Sequence, residues 1–331
     1  MSNLTDLEFN KFVCQTDIVT KVKDGDLSLS DDIVKKAITQ VGLEFGPEPS
    51  QNDPLKFTSS AGQTLSMVVY DYCYEVFGEY HPNLEYSYDG SEWNTWEGTP
   101  STRTESNNVI YTFDQLSFTE DNLVIYVRGN NPEKFSYKAD SWSYKLQCTF
   151  VFGNEESVAC EGNVMSLISA TATELQCDGC FVGLFSDCTN LTTTPELPAT
   201  VLTESCYGEM FSGCSSLIQA PELPATTLAY SCYNNMFNGC SSLTTAPELP
   251  ATTLAESCYG SMFLGCADLS YVKCYAKDIS ASECTSYWLI NVSSNGTLLI
   301  EDSDDFETVK AMWQNSGSVP AGWDIDVRLP N

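Results

Sequence analysis

The residue types able to do chemistry are unevenly distributed along this chain of 331 residues: 15 are cysteine, and His81 is the only histidine. With a single histidine the chain can form few of the known catalytic triads, and no nucleophile that could pair with His81 occurs in the stretch HPNL. Neither a GxGxxG loop nor a P-loop occurs. The acidic stretch EDSDDFE, with Asp302, Asp304 and Asp305, does not match the glycine and terminal glutamate of a calcium loop, so we interpret it as a solvated turn. We therefore predict a protein that is not an enzyme and that uses no cofactor or metal.

Most of the cysteines form two ladders with a spacing of 26 residues, the second starting eight residues after the first. The ladders comprise Cys180, Cys206, Cys232, Cys258 and Cys284, and then Cys188, Cys214, Cys240 and Cys266. A helical Cys-to-Cys segment would hold the ladders about 12 Å apart, too far for a disulfide. Neighbours within a ladder could pair, but a five-membered ladder cannot pair completely, so buried free thiols are expected. Zinc is the alternative at Cys177-x-x-Cys180, although no second CxxC or histidine pair completes a tetrahedral set.

These cysteines belong to a repeat of 26 residues that covers 180–283, with three clear copies and a decaying fourth. A fixed period of this length is typical of a solenoid, in which each copy buries its apolar side against its neighbours. Leucines and a Met-Phe pair recur between copies and are predicted core, whereas the PELPATT stretch is predicted to form a surface turn. The predicted core residues are Leu191, Leu217, Leu243 and Leu269, then Leu197, Leu223 and Leu249, and Met210, Met236 and Met262 with the phenylalanines that follow them.

The chain is strongly negative: it has 15 basic and 45 acidic residues, which give a net charge of −30. No Lys or Arg occurs between Lys145 and Lys273, an interval that holds thirteen Asp or Glu. Nucleic acid and anionic membrane are therefore poor partners. No run of about 18 apolar residues predicts a membrane span. The N-terminal stretch MSNLTDLEFNKFVCQ lacks the regions of a secretory signal, so we expect the protein to be made and folded in a cytoplasm.

Two further segments precede the repeats. Ser30 can cap a short helix with an apolar stripe, which ends near Gly42 and is too short to be stable alone. That stripe comprises Ile33, Val34, Ile38 and Val41.

Residues 55–155 contain short β-branched and aromatic runs separated by turn residues, which predict a β-sandwich with a hairpin at Asp89-Gly90. The aromatic residues Trp93 and Trp96 fit either cross-strand packing or a platform for stacking sugars.

The repeat frame CYxxMFxGCSSLTxAPELPATTLA closely resembles the BspA-like leucine-rich repeats found in surface proteins of gut and oral Bacteroidota and in their phages. The stretches YSYDGSEWNTW and NLVIYVRGNN are similar to an immunoglobulin-like domain that precedes such repeats, and LSYVKCYAKDISASECTSYW, GTLLI and VPAGWDI are similar to their C-terminal end. The resemblance implies a solenoid with an adhesive or binding role and no catalytic residues in the repeat. Family surface proteins normally carry a secretory signal, and this N-terminus departs from that pattern.

The predicted fold class is a mixed α/β multidomain protein. Its segments are an N-terminal helical anchor (1–50), an Ig-like β-sandwich (51–157), a leucine-rich-repeat solenoid (158–285) and a C-terminal cap (286–331). We expect a non-enzymatic phage virion protein, attached to capsid or tail, whose acidic repeats bind a host-surface glycan or protein. The alternative is a secreted bacterial cell-surface adhesin of the leucine-rich-repeat class. The anchor would dock on other virion proteins, a homo-oligomer is possible, and the other candidate binding residues are Thr192, Ile218, Thr244, Trp93 and Trp96.

Overall fold

Short strands dominate the first third of the folded chain, as the β-branched and aromatic runs predict. The computed structural model describes residues 52–71, 81–100, 109–140, 143–301 and 306–328. Its first eleven strands are β1 (Leu55–Ser59), β2 (Thr64–Asp71), β3 (Leu84–Ser87), β4 (Asn94–Thr95), β5 (Gly98–Pro100), β6 (Val109–Phe113), β7 (Leu116–Ser117), β8 (Val124–Gly129), β9 (Tyr137–Asp140), β10 (Ser143–Phe152) and β11 (Val158–Glu161).

These strands form two sheets that pack face to face. The first has the order β12-β11-β1-β8-β3-β4, where β12 is Leu191–Thr193 from the first repeat copy; the second has the order β5-β6-β2-β10-β9, and β7 also pairs with β2. The sheets meet through aromatic residues such as Phe57 and Phe150, whose ring centroids are 5.0 Å apart. β3 and β4 pair antiparallel around the Asp89-Gly90 turn, which confirms the predicted hairpin.

The repeats stack copy upon copy through backbone hydrogen bonds between residues about one period apart. We call the stretches that carry these bonds turn segments 1 to 5; they are 179–187, 205–213, 231–239, 257–265 and 283–291. In each of the four steps, five alternate N–H groups of one turn segment donate to carbonyl oxygens of the next. The N–H of Phe181, for example, donates to Cys206 over 2.9 Å. The N–H groups in between bond within their own segment, as Val182 does to Gly179.

The geometry of the turn segments explains why they are neither helices nor strands. Every fourth residue has a positive φ, so the chain turns back before an α-helical i→i−4 bond can form. In turn segment 3, for example, these residues are Ser231, Asn235 and Gly239, with φ of 51°, 55° and 78°. The Cys-to-Cys segment is therefore not helical, and the separation of about 12 Å, which assumed a helix, does not apply.

Aromatic rings stack along the core of the repeats and continue into the C-terminal part. Tyr207 and Tyr233 lie 6.0 Å apart at an interplanar angle of 5°, and Phe237 and Phe263 lie 5.7 Å apart at 2°. The predicted leucine, cysteine and Met-Phe ladders are confirmed as buried. Offset ring pairs of this kind each contribute about 0.5–1.5 kcal/mol beyond the area they bury. The core of the repeats therefore consists of aligned columns of identical or similar side chains.

The C-terminal part is a parallel sheet with one helix. Its strands, in the order β13-β14-β15-β16, are β13 (Thr245–Leu249), β14 (Tyr271–Cys274), β15 (Gly296–Glu301) and β16 (Trp323–Arg328), and its helix is α1 (Phe306–Asn315). Helix α1 places Trp313 on Trp288, with ring centroids 5.3 Å apart. Trp313 therefore continues the aromatic stack beyond the last turn segment.

The predicted fold class is wrong. The described residues are mostly β-sheet arranged in several sheets, and they contain a single α-helix and a short 3₁₀ helix (Val164–Leu167), so they do not match an Ig-like sandwich joined to a leucine-rich-repeat solenoid. The predicted N-terminal anchor lies outside the described residues. The PELPATT stretch also differs from its predicted turn, because burial alternates along it and in the third copy it contributes to strand β13. The four segment boundaries stay predictions.

Candidate binding surfaces

The strongest candidate surface is the outward strip of the repeats, where equivalent positions carry different side chains. Ile218 is 60% exposed and Thr244 is exposed, as predicted for partner contacts. Thr192, at the equivalent position of the first copy, is half-buried because its hydroxyl donates to the Val158 carbonyl over 3.0 Å. The strip therefore begins beside β11 and becomes accessible from the second copy onward.

A groove of about 740 Å³ lies along this strip between the second and third copies. Residues 218–224 and 244–250 line it, and a single bridge, between Gln219 and Thr245, pairs their backbones. Glu222 is exposed on this groove, and Glu196 occupies the equivalent exposed position one copy earlier. Neither carboxylate forms an ion pair within the part of the chain that the structure describes. In the third copy Glu248 is neutralised by Lys273, whose ammonium lies 2.5 Å from it.

A second concavity, of about 700 Å³, separates the second sheet from the first repeat copies. Its lining is mainly hydroxyl, amide and carboxylate groups, including Asp187 and Tyr70. Burial and the negative charge of Asp187 both raise the pKa of the Tyr70 phenol. On its floor, the buried Thr149 hydroxyl donates to the Gly183 carbonyl over 2.9 Å. This cleft, which the sequence pattern did not indicate, is suited to polar rather than apolar contacts.

The two predicted tryptophans are not a free aromatic platform. Trp96 is 2% exposed, and its indole N–H donates to the Asp114 carbonyl over 2.7 Å, so it is a core residue and cannot contact a partner. Trp93 is half-buried, and the Arg128 guanidinium covers its ring at 3.9 Å from the centroid. At Trp96 the structure therefore shows packing in the core and not a platform for stacking sugars. The remaining candidates, Ile33, Val34, Ile38 and Val41, lie outside the described residues.

The thirteen cysteines of the described residues are free, and all but Cys177 are buried. Burial raises the pKa of most of these thiols, to about 12 for Cys266. In the second ladder the last three thiols each donate to a carbonyl of the preceding copy, as Cys240 does to Phe211 over 3.1 Å, and Cys188 donates to the Phe150 carbonyl in β10 over 3.3 Å. A protonated thiol therefore acts there as a small hydrogen-bond donor, a role that a methyl group could not fill.

The Cys177-x-x-Cys180 pair was the alternative zinc position. A hydrogen bond from Cys180 lowers the pKa of the Cys177 thiol, and the Cys177 sulfur lies 3.1 Å from the Ser136 carbonyl oxygen. Within the described ranges, no group of three or more His, Cys, Asp or Glu side chains is placed to hold a metal ion. The acidic turn at Asp302, Asp304 and Asp305 lies outside those ranges. His81 stacks on Tyr111, with ring centroids 4.1 Å apart.

Protein-family models, curated proteins and solved structures gave no match. The likeness of the repeat frame to BspA-like sequences therefore stays a prediction. Among the helices of the described residues, none has the length and apolar character needed to cross a membrane.

Proposed function

We propose that this chain is a non-enzymatic virion component, attached to a phage capsid or tail, whose acidic stacked repeats bind the host cell surface. The observation that carries the proposal is the division of each copy into a constant interior and a variable exterior. The stacked rings and backbone bonds fix the frame, whereas Ile218 and Thr244 differ at equivalent exposed positions. Such an arrangement lets surface residues change without disturbing the core, as recognition of a variable surface requires.

The charge of the strip indicates what it would bind. Adjacent parallel strands lie about 5 Å apart, and two glutamate carboxylates at that separation would repel each other by roughly 0.8 kcal/mol in water. A partner that brings ammonium groups or hydroxyl donors to Glu196 and Glu222 would relieve this repulsion and would also be attracted over longer distances. A glycan or protein of the host surface with such donors fits the strip better than a phosphate-rich polymer does.

The free, buried state of the cysteines supports the virion role over that of a secreted adhesin. The free cysteines of the described residues are almost all buried in the core, where oxidation in an oxidising compartment would compete with correct folding. Assembly in the host cytoplasm keeps such thiols reduced. We also propose that the chain is related to BspA-like proteins of Bacteroidota and their phages, on the evidence of the repeat frame alone. The same relationship would also fit the alternative function, a secreted cell-surface adhesin.

The proposal is tested by asking where the chain resides. Particles purified on a density gradient from lysed Bacteroidota cultures, and the outer surface of uninfected cells, are both assayed for the chain by mass spectrometry. We expect the chain in the particles. Its presence on uninfected cells and absence from particles would contradict the virion role and support the adhesin. Deleting residues 1–45 should abolish incorporation into particles, and a truncated chain that still assembles would refute docking through this segment.

Binding by the acidic strip has its own test. The labelled full chain is incubated with host cells, and the double variant Glu196→Gln/Glu222→Gln is compared with Glu92→Gln/Glu97→Gln. The second pair is exposed in the first two sheets and removes the same charge, so it controls for net charge. Loss of cell binding by the first variant alone is the expected result. Equal binding by both variants would show that the strip is not the contact surface.

A further inference from the structure

Turn segment 5 is the last of the turn segments, and most of its alternate backbone N–H groups have no partner among the residues that the structure describes. In turn segments 1 to 4, the N–H groups at alternate positions all bond to the next copy. In turn segment 5 the equivalent N–H groups belong to Glu283, Thr285, Tyr287, Leu289 and Asn291. The Thr285 N–H lies against the Cys284 thiol, and within the described residues the other four donate no hydrogen bond. The stack therefore stops with a row of four free donors, as at the edge of a β-sheet.

A groove of about 580 Å³ runs along this row. One wall is residues 285–291, and the other is residues 316–320, which are held in place by a 2.8 Å hydrogen bond from the Trp288 indole to the Ser318 carbonyl. None of the described residues that line it carries a charge, although the chain as a whole has a net charge of −30. A ligand in this groove would be held by hydrogen bonds from backbone N–H groups and by apolar contacts, not by ion pairs.

The side chains at the groove depart from the pattern of the repeats. Tyr287 has a φ of 57°, a left-handed conformation that is unfavourable for a bulky residue, and yet its side chain is 66% exposed. At the equivalent position turn segments 3 and 4 carry the small polar residues Asn235 and Ser261. Ile290, 43% exposed, is a second large apolar side chain at the groove. The left-handed φ itself recurs at every fourth residue of the turn segments, so the distinctive feature of this groove is that two large apolar side chains are left exposed beside it.

We propose that this groove binds an extended, uncharged polypeptide segment of a partner protein, which adds to turn segment 5 as one further rung. The occupant is a polypeptide because in all four preceding steps the acceptors of this donor row are backbone carbonyl oxygens at alternate residues. Apolar side chains of the segment would pack on Tyr287 and Ile290. A second copy stacked head to tail is a poorer fit, since at the other end the N–H groups of Ser136 and Phe150 already donate to the carbonyls of Cys180 and Leu184. The proposal concerns a different surface from the acidic strip and does not depend on it.

The experiment is selection of a random heptapeptide library against the full-length protein, followed by fluorescence anisotropy of the enriched peptides made synthetically. The test variant is Tyr287→Gly/Ile290→Ser, which removes both exposed side chains and relieves the left-handed strain at position 287. The matched control is Val201→Ser/Leu123→Ser, which removes side chains that are 69% and 43% exposed and that line neither this groove nor the groove of the acidic strip. Urea midpoints of both variants verify that each is folded.

We expect enrichment of uncharged peptides with alternating apolar residues, a loss of affinity of at least about tenfold in the test variant, and less than about twofold in the control. Hydrogen exchange of the amides of Tyr287, Leu289 and Asn291 should slow when a peptide is bound, because they become donors. Three results would overturn the proposal: no enrichment above that found with the test variant, enrichment of charged peptides only, or affinity that both variants retain. Binding of neutral oligosaccharides that only the test variant loses, without peptide binding, would assign the groove to a glycan instead.

Discussion

Gly239 offers a direct test of the turn segments, because its backbone conformation can be separated from its packing. Its φ is 78°, beyond the range of about 50° to 70° in which other residues tolerate the left-handed region. A Cβ atom added here would meet Gly213 Cα and N at 3.7 Å, an ordinary contact distance. Gly239→Ala therefore introduces backbone strain without a clash, and we expect it to lower the free energy of unfolding by about 1–2 kcal/mol.

The assay is urea denaturation of the full chain, where a lower midpoint at an unchanged m-value reports lost stability. Ser212→Ala serves as the control, since Ser212 lies outside the positive-φ positions and should change stability by less than about 0.5 kcal/mol. Gly213→Ala should cost more than Gly239→Ala, because its Cβ would lie 2.5 Å from Asp187 Oδ1. Adding Asp187→Gly should remove that excess. A Gly239→Ala variant more stable than the parent would show that this residue is not left-handed and would refute the proposed geometry.

Three further predictions test the core of the repeats. Leu243→Ala should cost about 2–5 kcal/mol, because its stacked neighbours cannot close the cavity, and a loss below about 1 kcal/mol in urea would contradict a core role. Tyr233→Phe should leave the urea midpoint unchanged or raise it, since the buried Tyr233 hydroxyl has no hydrogen-bond partner among the described residues; a clear loss would contradict this. Burial raises the pKa of the Cys206 and Cys266 thiols to about 12 from 9.0, so the unfolded chain loses these protons first. The free energy of unfolding should therefore fall between about pH 9 and pH 12, and a urea midpoint that does not change across this range would contradict their burial.

The sequence identified which side chains are buried in the repeats, because a residue that recurs at a fixed period must meet its own copy in a stack. Leu243 and Cys240 could be assigned to the core in this way, and both are fully buried. The Asp89-Gly90 hairpin was also predictable, because few residues tolerate the backbone angles of such a turn. Periodicity thus predicted burial and register between the copies.

The backbone path between the ladders was not predictable from the same pattern. Buried residues four apart, such as Cys180 and Leu184, fit an α-helix as well as they fit turns with a left-handed residue at every fourth position. The choice depends on hydrogen bonds to the neighbouring copy, as from Phe185 to Met210 over 2.8 Å, and no local preference of the chain encodes those bonds. Only stacking makes the left-handed conformation of Ser231 or Asn235 favourable.

The candidate surfaces divide in the same way. Ile218 and Thr244 were named as candidates for partner contacts and are exposed, whereas the candidate Trp96 is buried because an aromatic residue in a strand can face either side. The donor row beside Tyr287 could not be found in the sequence at all. Whether a backbone N–H has a partner depends on which copy lies next to it, and that is decided only where the tertiary structure ends the stack.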